Sequence, residues 1–376
     1  MMTGLNPNYI YSQINSQRSI REALDSNGRL ISDIKGSFST RGFIMNTNET
    51  GELVFTKSVT GANGSWSPVG LGMNNHVWTL AVIGDDIYAG GLFTMVGSES
   101  ISYIAKWNGT NWSALGSGVD GFVWGLAVIG TDLYVAGQFL NAGGIPANRI
   151  AKWDGTSWHT LGTGMNNTVY SLFASGNQLY AGGQFTIAGG NSANKIAKWD
   201  GTNWSALGSG MNNPVRAFAM IGNDLYAVGE FTTAGGVIAN RIAKWDGTGW
   251  SSLSTGVGNI VWSLAVIGGD LFVGGEFTIA GGSPASRLAK WDGTGWSEVG
   301  GGTNFIVWGL EASGNDLYVG GEFVTAGDSS VNRVAKWDGE FWHPLGSGIN
   351  QRVNCLLKSD NDLYVGGTKC AWNADL

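Results

Sequence analysis

A tryptophan recurs every 46 residues along most of this 376-residue chain. The series runs Trp107, Trp153, Trp199, Trp245, Trp291 and Trp337. Each member lies in a copy of one unit, for example Ile-Ala-Lys-Trp-Asp-Gly-Thr-Ser-Trp at residues 150–158. A period of roughly 20–50 residues is typical of repeat architectures, in which neighbouring units bury each other's apolar faces. The period therefore limits the fold before any single side chain is interpreted.

One repeat contains four short runs of β-forming residues. In the unit at residues 121–166 these runs are 123–128, 133–137, 150–153 and 157–161. Asp154-Gly155 is a two-residue hairpin signal, and the stretch from Asn141 to Asn148 has the composition of a loop. No run has helical periodicity. Four antiparallel strands per repeat predict an all-β fold, with each repeat forming one blade of a β-propeller.

Counting equivalent positions predicts seven four-stranded blades. The first-strand valine recurs as Val77, Val123, Val169, Val215, Val261, Val307 and Val353. The fourth-strand tryptophan recurs as Trp66, Trp112, Trp158, Trp204, Trp250, Trp296 and Trp342. Since Trp66 precedes the first valine, we expect an N-terminal strand at Trp66 to complete the last blade and close the ring. Tryptophans that recur in register are expected to pack between blades.

The last repeat is irregular. The usual long loop is missing after Gly367, and the segment 369–372 takes the place of the third strand. Cys355 and Cys370 fall on the first and third strands of this unit, with the second strand between them. That separation favours two buried thiols over a disulfide.

Residues 60–376 resemble propeller-type repeats of known families. The motifs are Ile-Ala-Lys-Trp-Asp-Gly-Thr-x-Trp, Leu-Tyr-Val-Gly-Gly-x-Phe and Ala-Gly-Gly. They are similar to repeats of bacterial surface or secreted proteins and of fungal cortical polarity-marker proteins, and more loosely to kelch and WD repeats. The resemblance implies a binding or structural module and supplies no catalytic motif, because a fold does not imply a function.

The first sixty residues do not follow the repeat. The segment 16–27 predicts a short helix, and the runs 41–45 and 52–55 predict a β-hairpin. We therefore divide the chain into a docking or oligomerisation arm, 1–60, and a propeller, 61–376. Such an arm is too small to form its own core. It is expected to bind other protein subunits, which include further copies of this chain, and a disordered tail is the alternative.

Composition excludes several kinds of partner. The net charge is −7 and no basic stripe is present, so nucleic acid is not expected as a partner. No apolar run approaches the ~20 residues of a membrane span, and residues 1–20 lack the apolar core of a secretion signal. Only 13% of residues are charged, which suits an extracellular or particle-associated protein, such as a virion or appendage component. A cytoplasmic location is the alternative.

A search for catalytic or metal-binding groups finds little. Among the three histidines, His159 and His343 occupy equivalent outer positions in distant blades, and only His76 is expected near the ring axis. The Asp residues in the turns between first and second strands are interpreted as backbone caps rather than calcium ligands. We therefore predict no metal, no cofactor and no enzymatic activity, with an active site at the channel mouth as the less favoured alternative.

One set of polar residues is matched across the long loop. Each pair is separated by eleven residues, and the apolar Leu92 is matched to the aromatic Tyr103. We interpret the polar pairs as a structural clamp across the second and third strands; an alternative is that Glu and Gln form a ligand-binding ring. The clamp pairs with Glu are Glu230/Arg241, Glu276/Arg287 and Glu322/Arg333, and those with Gln are Gln138/Arg149 and Gln184/Lys195.

Candidate ligand-binding residues lie on the face that carries the second-to-third-strand loops and the inter-blade links. The asparagines of the links suit hydrogen bonding to sugars; they are Asn74, Asn75, Asn166, Asn167, Asn212 and Asn213. The residues flanking the first-strand valine vary between repeats and are expected to line the channel mouth, unless they only pack beneath its rim. The channel-mouth candidates are His76, Trp78, Phe122, Trp124, Tyr170, Arg216, Trp262, Trp308 and Arg352.

The sequence thus predicts a non-enzymatic binding module, presented on a larger assembly by its N-terminal arm. Surface or glycan recognition, as in cell adhesion, is the expected role. A purely structural protein–protein component of a virion or appendage is the alternative.

Overall fold

The structure, a computed structural model, describes residues 43–47, 53–57, 66–368 and 371–375. The chain divides into two units, Met1–Gly61 with Asp375–Leu376, and Ala62–Ala374. In the first unit, β1 (Phe43–Thr47) pairs antiparallel with β2 (Leu53–Lys57), and Phe43 lies opposite Lys57. The helix predicted at 16–27 lies outside the described residues. The docking role of the arm stays a prediction.

The second unit contains only β-structure in its described part. It begins with the two-residue strand β3 (Ser67–Pro68). Blade 1 follows as β4 (Val77–Ile83), β5 (Asp86–Gly91), β6 (Ile104–Trp107) and β7 (Trp112–Ser113). Each strand pairs antiparallel with the next in chain order, which is the predicted meander.

Blades 2 to 4 repeat this meander and add a small hairpin in the loop between the second and third main strands. Blade 2 comprises β8 (Val123–Ile129), β9 (Asp132–Gly137), the hairpin β10 (Asn141–Ala142) and β11 (Ile145–Pro146), then β12 (Ile150–Trp153) and β13 (Trp158–Thr160). Blade 3 comprises β14 (Val169–Ser175), β15 (Gln178–Gly183), β16 (Ile187–Ala188), β17 (Asn191–Ser192), β18 (Ile196–Trp199) and β19 (Trp204–Ala206). Blade 4 comprises β20 (Val215–Ile221), β21 (Asp224–Gly229), β22 (Thr233–Ala234), β23 (Val237–Ile238), β24 (Ile242–Trp245) and β25 (Trp250–Ser252).

Blades 5 and 6 have the same plan. Blade 5 comprises β26 (Val261–Ile267), β27 (Asp270–Gly275), β28 (Ile279–Ala280), β29 (Ser283–Pro284), β30 (Leu288–Trp291) and β31 (Trp296–Glu298). Blade 6 comprises β32 (Val307–Ser313), β33 (Asp316–Gly321), β34 (Thr325–Ala326), β35 (Ser329–Ser330), β36 (Val334–Trp337) and β37 (Trp342–Pro344). The segment interpreted from sequence as a plain loop therefore carries a short hairpin of its own in these blades.

The prediction of seven equivalent blades needs correction, because the repeat builds six complete blades of continuous chain. After them come β38 (Val353–Ser359), β39 (Asp362–Gly367) and β40 (Ala371–Asp375). These three strands join β3 in one composite sheet of order β3, β40, β39, β38. Only residues 368–370 link β39 to β40, where blade 6 uses residues 322–333. The last repeat therefore lacks both the hairpin loop and a fourth strand of its own.

The closing strand is shorter than the sequence suggested. It consists of Ser67 and Pro68, which lie opposite Asn373 and Trp372, so the predicted closing residue Trp66 lies one position outside it. Trp66 still contributes to closure, because its indole N–H donates to the carbonyl oxygen of Leu345 at the end of blade 6 (2.9 Å).

The same indole bond joins every pair of neighbouring sheets. Each fourth-strand indole donates to a main-chain carbonyl of the preceding sheet, at 2.8–3.1 Å. The remaining bonds run from Trp112 to Val69, Trp158 to Leu115, Trp204 to Leu161, Trp250 to Leu207, Trp296 to Leu253 and Trp342 to Gly300. The expected packing role of these tryptophans between blades is confirmed.

The apolar core lies between adjacent sheets rather than at one centre. One cluster joins Tyr88 and Ile104 of blade 1 to Val123 and Leu133 of blade 2. A phenylalanine after each second strand of blades 1–6 is fully buried and anchors the following loop; these are Phe93, Phe139, Phe185, Phe231, Phe277 and Phe323. The loops that follow the second strands therefore start from fixed points.

The predictions about the cysteine pair and about membrane spans can be compared only with the described residues. Cys370 lies outside them, so the state of its pair with Cys355 stays a prediction. Where the structure describes the chain, it contains no helix long and apolar enough to cross a membrane.

Glu311 is a buried carboxyl between blade 6 and the composite sheet. Its Oε1 accepts the main-chain N–H of Lys358 on β38 (3.1 Å). Other repeats carry apolar residues at this position, namely Ala81, Ala127, Phe173, Ala219, Ala265 and Leu357. Burial raises the pKa of Glu311 from 4.5 to about 7, against the smaller opposing effect of the Lys358 N–H bond.

This burial predicts a pH-dependent stability. The folded protein holds the proton that the unfolded chain releases above its lower pKa, so stability falls as the pH rises from about 4.5 through about 7. The loss is on the order of 3 kcal/mol for one group. Glu311→Ala, which copies blades 1, 2, 4 and 5, should remove this contribution and be more stable than wild type at pH 8. Urea unfolding of both proteins at pH 5 and pH 8 measures it, and parallel profiles would contradict the assignment.

The indole bonds predict a second stability effect. Trp204→Phe keeps an aromatic ring but leaves the Leu161 carbonyl without its donor, which should cost roughly 1–3 kcal/mol. The control is Trp78→Phe, because the Trp78 indole N–H has no acceptor within residues 66–368. Urea unfolding followed by far-UV circular dichroism compares the two variants. An equal loss in both would show that ring packing, and not the hydrogen bond, carries the effect.

Candidate functional site at the channel mouth

A β-bulge occurs near the start of every innermost strand. In β20 the register to β21 shifts between Val215 and Ala217, which leaves Arg216 without a cross-strand partner. The same shift follows the first valine of β4, β8, β14, β26, β32 and β38. A bulge re-aims the side chain at the extra residue. The seven residues placed in this way are Trp78, Trp124, Tyr170, Arg216, Trp262, Trp308 and Asn354.

A glycine at the end of each second strand makes room for the bulge. A side chain at Gly275 would collide with the carbonyl oxygen of Ile260, which precedes the bulged strand. The next residue, Glu276, donates its main-chain N–H to that same carbonyl (3.0 Å). The side chain after the glycine is thereby held close to the bulged residue of its own blade.

The bulged side chains surround a cavity of about 320 Å³. Its lining consists of Trp78, Trp124, Tyr170, Arg216, Trp262, Trp308, Arg352 and Asn354. Seven of the nine channel-mouth candidates are therefore brought together. His76 and Phe122 lie beside this lining: the His76 ring stacks on Trp78 (centroids 6.0 Å apart), and Phe122 meets Trp78 edge-on (6.1 Å).

Blades 1–3 supply the apolar part of the lining, which we call the aromatic arc (Trp78, Trp124 and Tyr170). The indoles of Trp78 and Trp124 stack with centroids 3.6 Å apart and planes 4° apart. Tyr170 meets Trp124 edge-on at 5.6 Å. Burial raises the pKa of Tyr170, so its phenol stays protonated. This arc offers flat apolar faces and no charge.

Blades 4–6 and the composite sheet supply the other part, which we call the cationic arc (Arg216, Trp262, Trp308 and Arg352). The Arg216 guanidinium lies between the rings of Tyr170 and Trp262, 3.8 and 4.7 Å from their centroids. Trp262 packs on Trp308 (4.7 Å), and Arg352 lies 4.9 Å from the Trp308 ring centroid. Cation–π contacts of this kind fix the plane of a guanidinium.

Three glutamates bond to the cationic arc without lining the cavity. Glu230 Oε1 accepts Arg216 Nε (2.8 Å) and also bonds to Arg216 Nη2. Glu276 Oε1 accepts the indole N–H of Trp262 (3.0 Å). Glu322 Oε1 accepts the indole N–H of Trp308 (3.1 Å) and lies 3.5 Å from Arg352 Nη1. These carboxylates orient the side chains that face the cavity.

This pairing differs from the predicted polar clamp for the three glutamates, whereas in the predicted Gln184/Lys195 pair Lys195 Nζ donates to the main-chain carbonyl of Gln184 (3.1 Å). Within residues 66–368, Glu230, Glu276 and Glu322 form no ion pair with Arg241, Arg287 and Arg333. These three cations lie at left-handed backbone positions, with φ of 62–64°. Arg333 instead donates to the carbonyl of Ile349 (3.3 Å). The sequence pattern was real, but the partner of each glutamate is the bulged residue fourteen positions earlier.

The link asparagines are bonded to their own loops. Asn74 Oδ1 accepts the main-chain N–H groups of Thr94 and Met95 (2.9 and 3.1 Å). Asn166 and Asn212 make the equivalent bonds to residues 186–187 and 232–233. Asn75 and Asn167 each accept the N–H of the following residue (2.9 and 2.8 Å). Asn213 precedes Pro214, which has no N–H to offer.

The remaining titratable groups do not converge. His159 and His343 bond to Asp154 and Asp338 of their own blades (2.6 Å each). Burial, and less strongly the Arg352 guanidinium, lowers the pKa of His76, whose Nδ1 lies 3.2 Å from the Thr368 hydroxyl. Within the described ranges no group of three or more His, Cys, Asp or Glu side chains is placed to hold a metal ion.

The aspartates in the turns between first and second strands have partners other than those that the sequence predicted. Instead of capping their own turns, five of them form ion pairs with third-strand lysines at 2.8–3.1 Å. The pairs are Asp86–Lys106, Asp132–Lys152, Asp224–Lys244, Asp270–Lys290 and Asp316–Lys336.

Comparison with known proteins supports the fold. A family model described as the Rax2 C-terminal beta propeller domain matches residues 128–268, which is less than half of the chain. The chain is therefore shown to be a β-propeller repeat protein, in keeping with the resemblance to fungal polarity-marker repeats. A search of curated proteins finds no match.

Solved structures agree at low sequence identity. The structure titled "YCF48 bound to D1 peptide" has a TM-score of 0.56 and 14% identity, covering 83% of this chain and 96% of its own. The WD40 beta propeller domain of Doa1 has a TM-score of 0.57 and 14% identity, with the same coverage of 83% and 96%. YCF48 from Cyanidioschyzon merolae gives 0.51 and 13%, covering 83% and 98%. At such identities the likeness concerns the fold alone.

The bulge predicts a strict requirement for glycine. Gly275→Ala should push β27 away from Ile260, lower the free energy of unfolding by roughly 1–3 kcal/mol and change the environment of Trp262. Gly295→Ala is the matched control, because a side chain there meets open space. Near-UV circular dichroism and urea unfolding test both variants. Unchanged tryptophan bands in Gly275→Ala would contradict this account of the bulge.

Proposed function

We propose that this chain is a non-enzymatic interaction module that binds a segment of a partner protein at the channel mouth. The observation that carries the proposal is the cavity itself. Its lining differs from blade to blade, whereas the scaffold around it repeats. Variable side chains on a rigid frame are typical of binding sites.

The fold and the lining both support a protein partner. Tryptophan, tyrosine and arginine are the residues most enriched among energetically important contacts at protein interfaces. They make up seven of the eight lining residues. YCF48, whose fold is similar, has a structure with bound D1 peptide. A β-propeller commonly serves as an interaction scaffold.

Glycan recognition, as in adhesion, is the second candidate. The asparagines that favoured it are mostly bonded to their own loops, which weakens a set of repeated sugar sites on the rim. Stacking indoles at the mouth still favour a single sugar site. The proposed interaction module includes the N-terminal arm. We propose that residues 1–60 attach the propeller to a larger assembly, such as a virion or appendage.

Peptide and glycan arrays probed with the full chain separate the two candidates. We expect peptide ligands whose affinity falls at least tenfold in Trp262→Ala, since truncating an interface tryptophan costs about 2 kcal/mol or more. Phe341→Ala is the matched control, because Phe341 is an exposed aromatic (60%) outside the cavity lining. Binding to glycans only, or peptide binding that survives Trp262→Ala, would refute the proposal.

A further inference from the structure

The unused polar groups of the cavity lining are mainly hydrogen-bond donors. Glu230 occupies Nε and Nη2 of Arg216, so Nη1 is the guanidinium nitrogen that does not bond to Glu230. Arg352 uses Nε on Asn354 (2.7 Å) and Nη1 beside Glu322 (3.5 Å), which leaves Nη2. The Trp78 indole N–H also has no acceptor within residues 66–368. A ligand that satisfies these groups must supply acceptor oxygens.

Both guanidiniums are held in place before any ligand arrives. Arg216 is stacked between Tyr170 and Trp262 and tied to Glu230, with its side chain 17% exposed. Arg352 is stacked on Trp308 and tied to Asn354. Fixing these side chains in advance lowers the ordering cost of binding. A planar guanidinium matches the two oxygens of a carboxylate better than it matches a neutral hydroxyl.

The neighbouring glutamates weaken the long-range electrostatic attraction between the two arginines and an anion. Glu230, Glu276 and Glu322 outnumber the two arginines, so the local charge sums to −1. None of the three lines the cavity, and each spends one oxygen on the cationic arc. Long-range steering of an anion is therefore absent, and binding must rest on direct contact with the open N–H groups.

The cavity also limits the size of the ligand. A volume of about 320 Å³ is at the small end of ligand pockets, which span roughly 300–1,000 Å³. It has room for one or two side chains or a chain end rather than a long folded segment. The Trp78 and Trp124 indoles of the aromatic arc offer apolar faces for a side chain next to the carboxylate.

We propose that the channel mouth binds an acidic peptide segment, with a carboxylate held by the open N–H groups of Arg216 or of Arg352 and an adjacent apolar side chain against Trp78 and Trp124. This inference rests on the proposed function and names its ligand class. The carboxylate is an Asp or Glu side chain or a C-terminal group, since all three present the same pair of oxygens.

The test uses the full chain and an array of peptides in matched pairs. Each peptide with Asp, Glu or a free C-terminus is paired with its Asn, Gln or C-terminal amide version. We expect the acidic member to bind roughly tenfold to a hundredfold more tightly, as for hydrogen bonds to a charged group. The double variant Arg216→Gln/Arg352→Gln should reduce the affinity for the acidic member to that for its amide partner. Arg287→Gln, outside the cavity lining, should leave the preference intact.

A second measurement avoids any doubt about folding of the variants. Millimolar N-acetyl-aspartate should displace a bound peptide from wild-type protein, whereas N-acetyl-asparagine should not. Acid and amide peptides that bind equally, yet are lost in Trp262→Ala, would overturn the carboxylate assignment and leave the proposed function standing. Absence of any peptide binding would overturn both.

Discussion

The indole N–H of the fourth-strand tryptophan is the contact on which the ring depends. It donates to a carbonyl of the preceding sheet, and it does so at all seven junctions, including the one made by Trp66. A propeller blade cannot bury its own apolar faces, so the sheets must be held in a fixed rotation about the axis. A buried carbonyl left without a donor would cost more than the bond contributes. The contact therefore holds each sheet at a fixed spacing from the preceding one.

The sheets repeat regularly, and the bulged residue of each innermost strand is the position at which the proposed ligand specificity varies. The bulge turns one residue per innermost strand toward the axis, and the glycine opposite it permits that turn. In blades 4 to 6 the glutamate after the glycine bonds to the bulged residue, as Glu230 does with Arg216. Changing these two positions alters the lining without disturbing the indole bonds at the outer strands. Fold stability and ligand choice are thus encoded in different residues of the same repeat.

The sequence predicted the strands because the repeat shows them several times. The meander, the packing role of the tryptophans and the convergence of Trp78, Trp124 and Arg216 all follow from register counting. The partner of Glu276 could not be found in this way, because a bulge changes which face a side chain takes, and a glycine such as Gly275 does not by itself reveal that change. The last repeat was also misjudged, since its two-residue closing strand is set by pairing with β40 rather than by β-propensity.

The composite sheet has a consequence for how the chain is made. Ser67 pairs with Asn373, so the first strand of the ring and its last partner are separated by nearly the whole length of the propeller. During synthesis the six blades can stack in order of appearance, but the ring stays open until residues near 373 have emerged. Contacts between such distant residues form slowly. Until they form, the unpaired strand edges are exposed and prone to aggregate. The nascent chain is therefore most vulnerable just before residue 373 emerges, when six blades are assembled and the composite sheet has not yet formed.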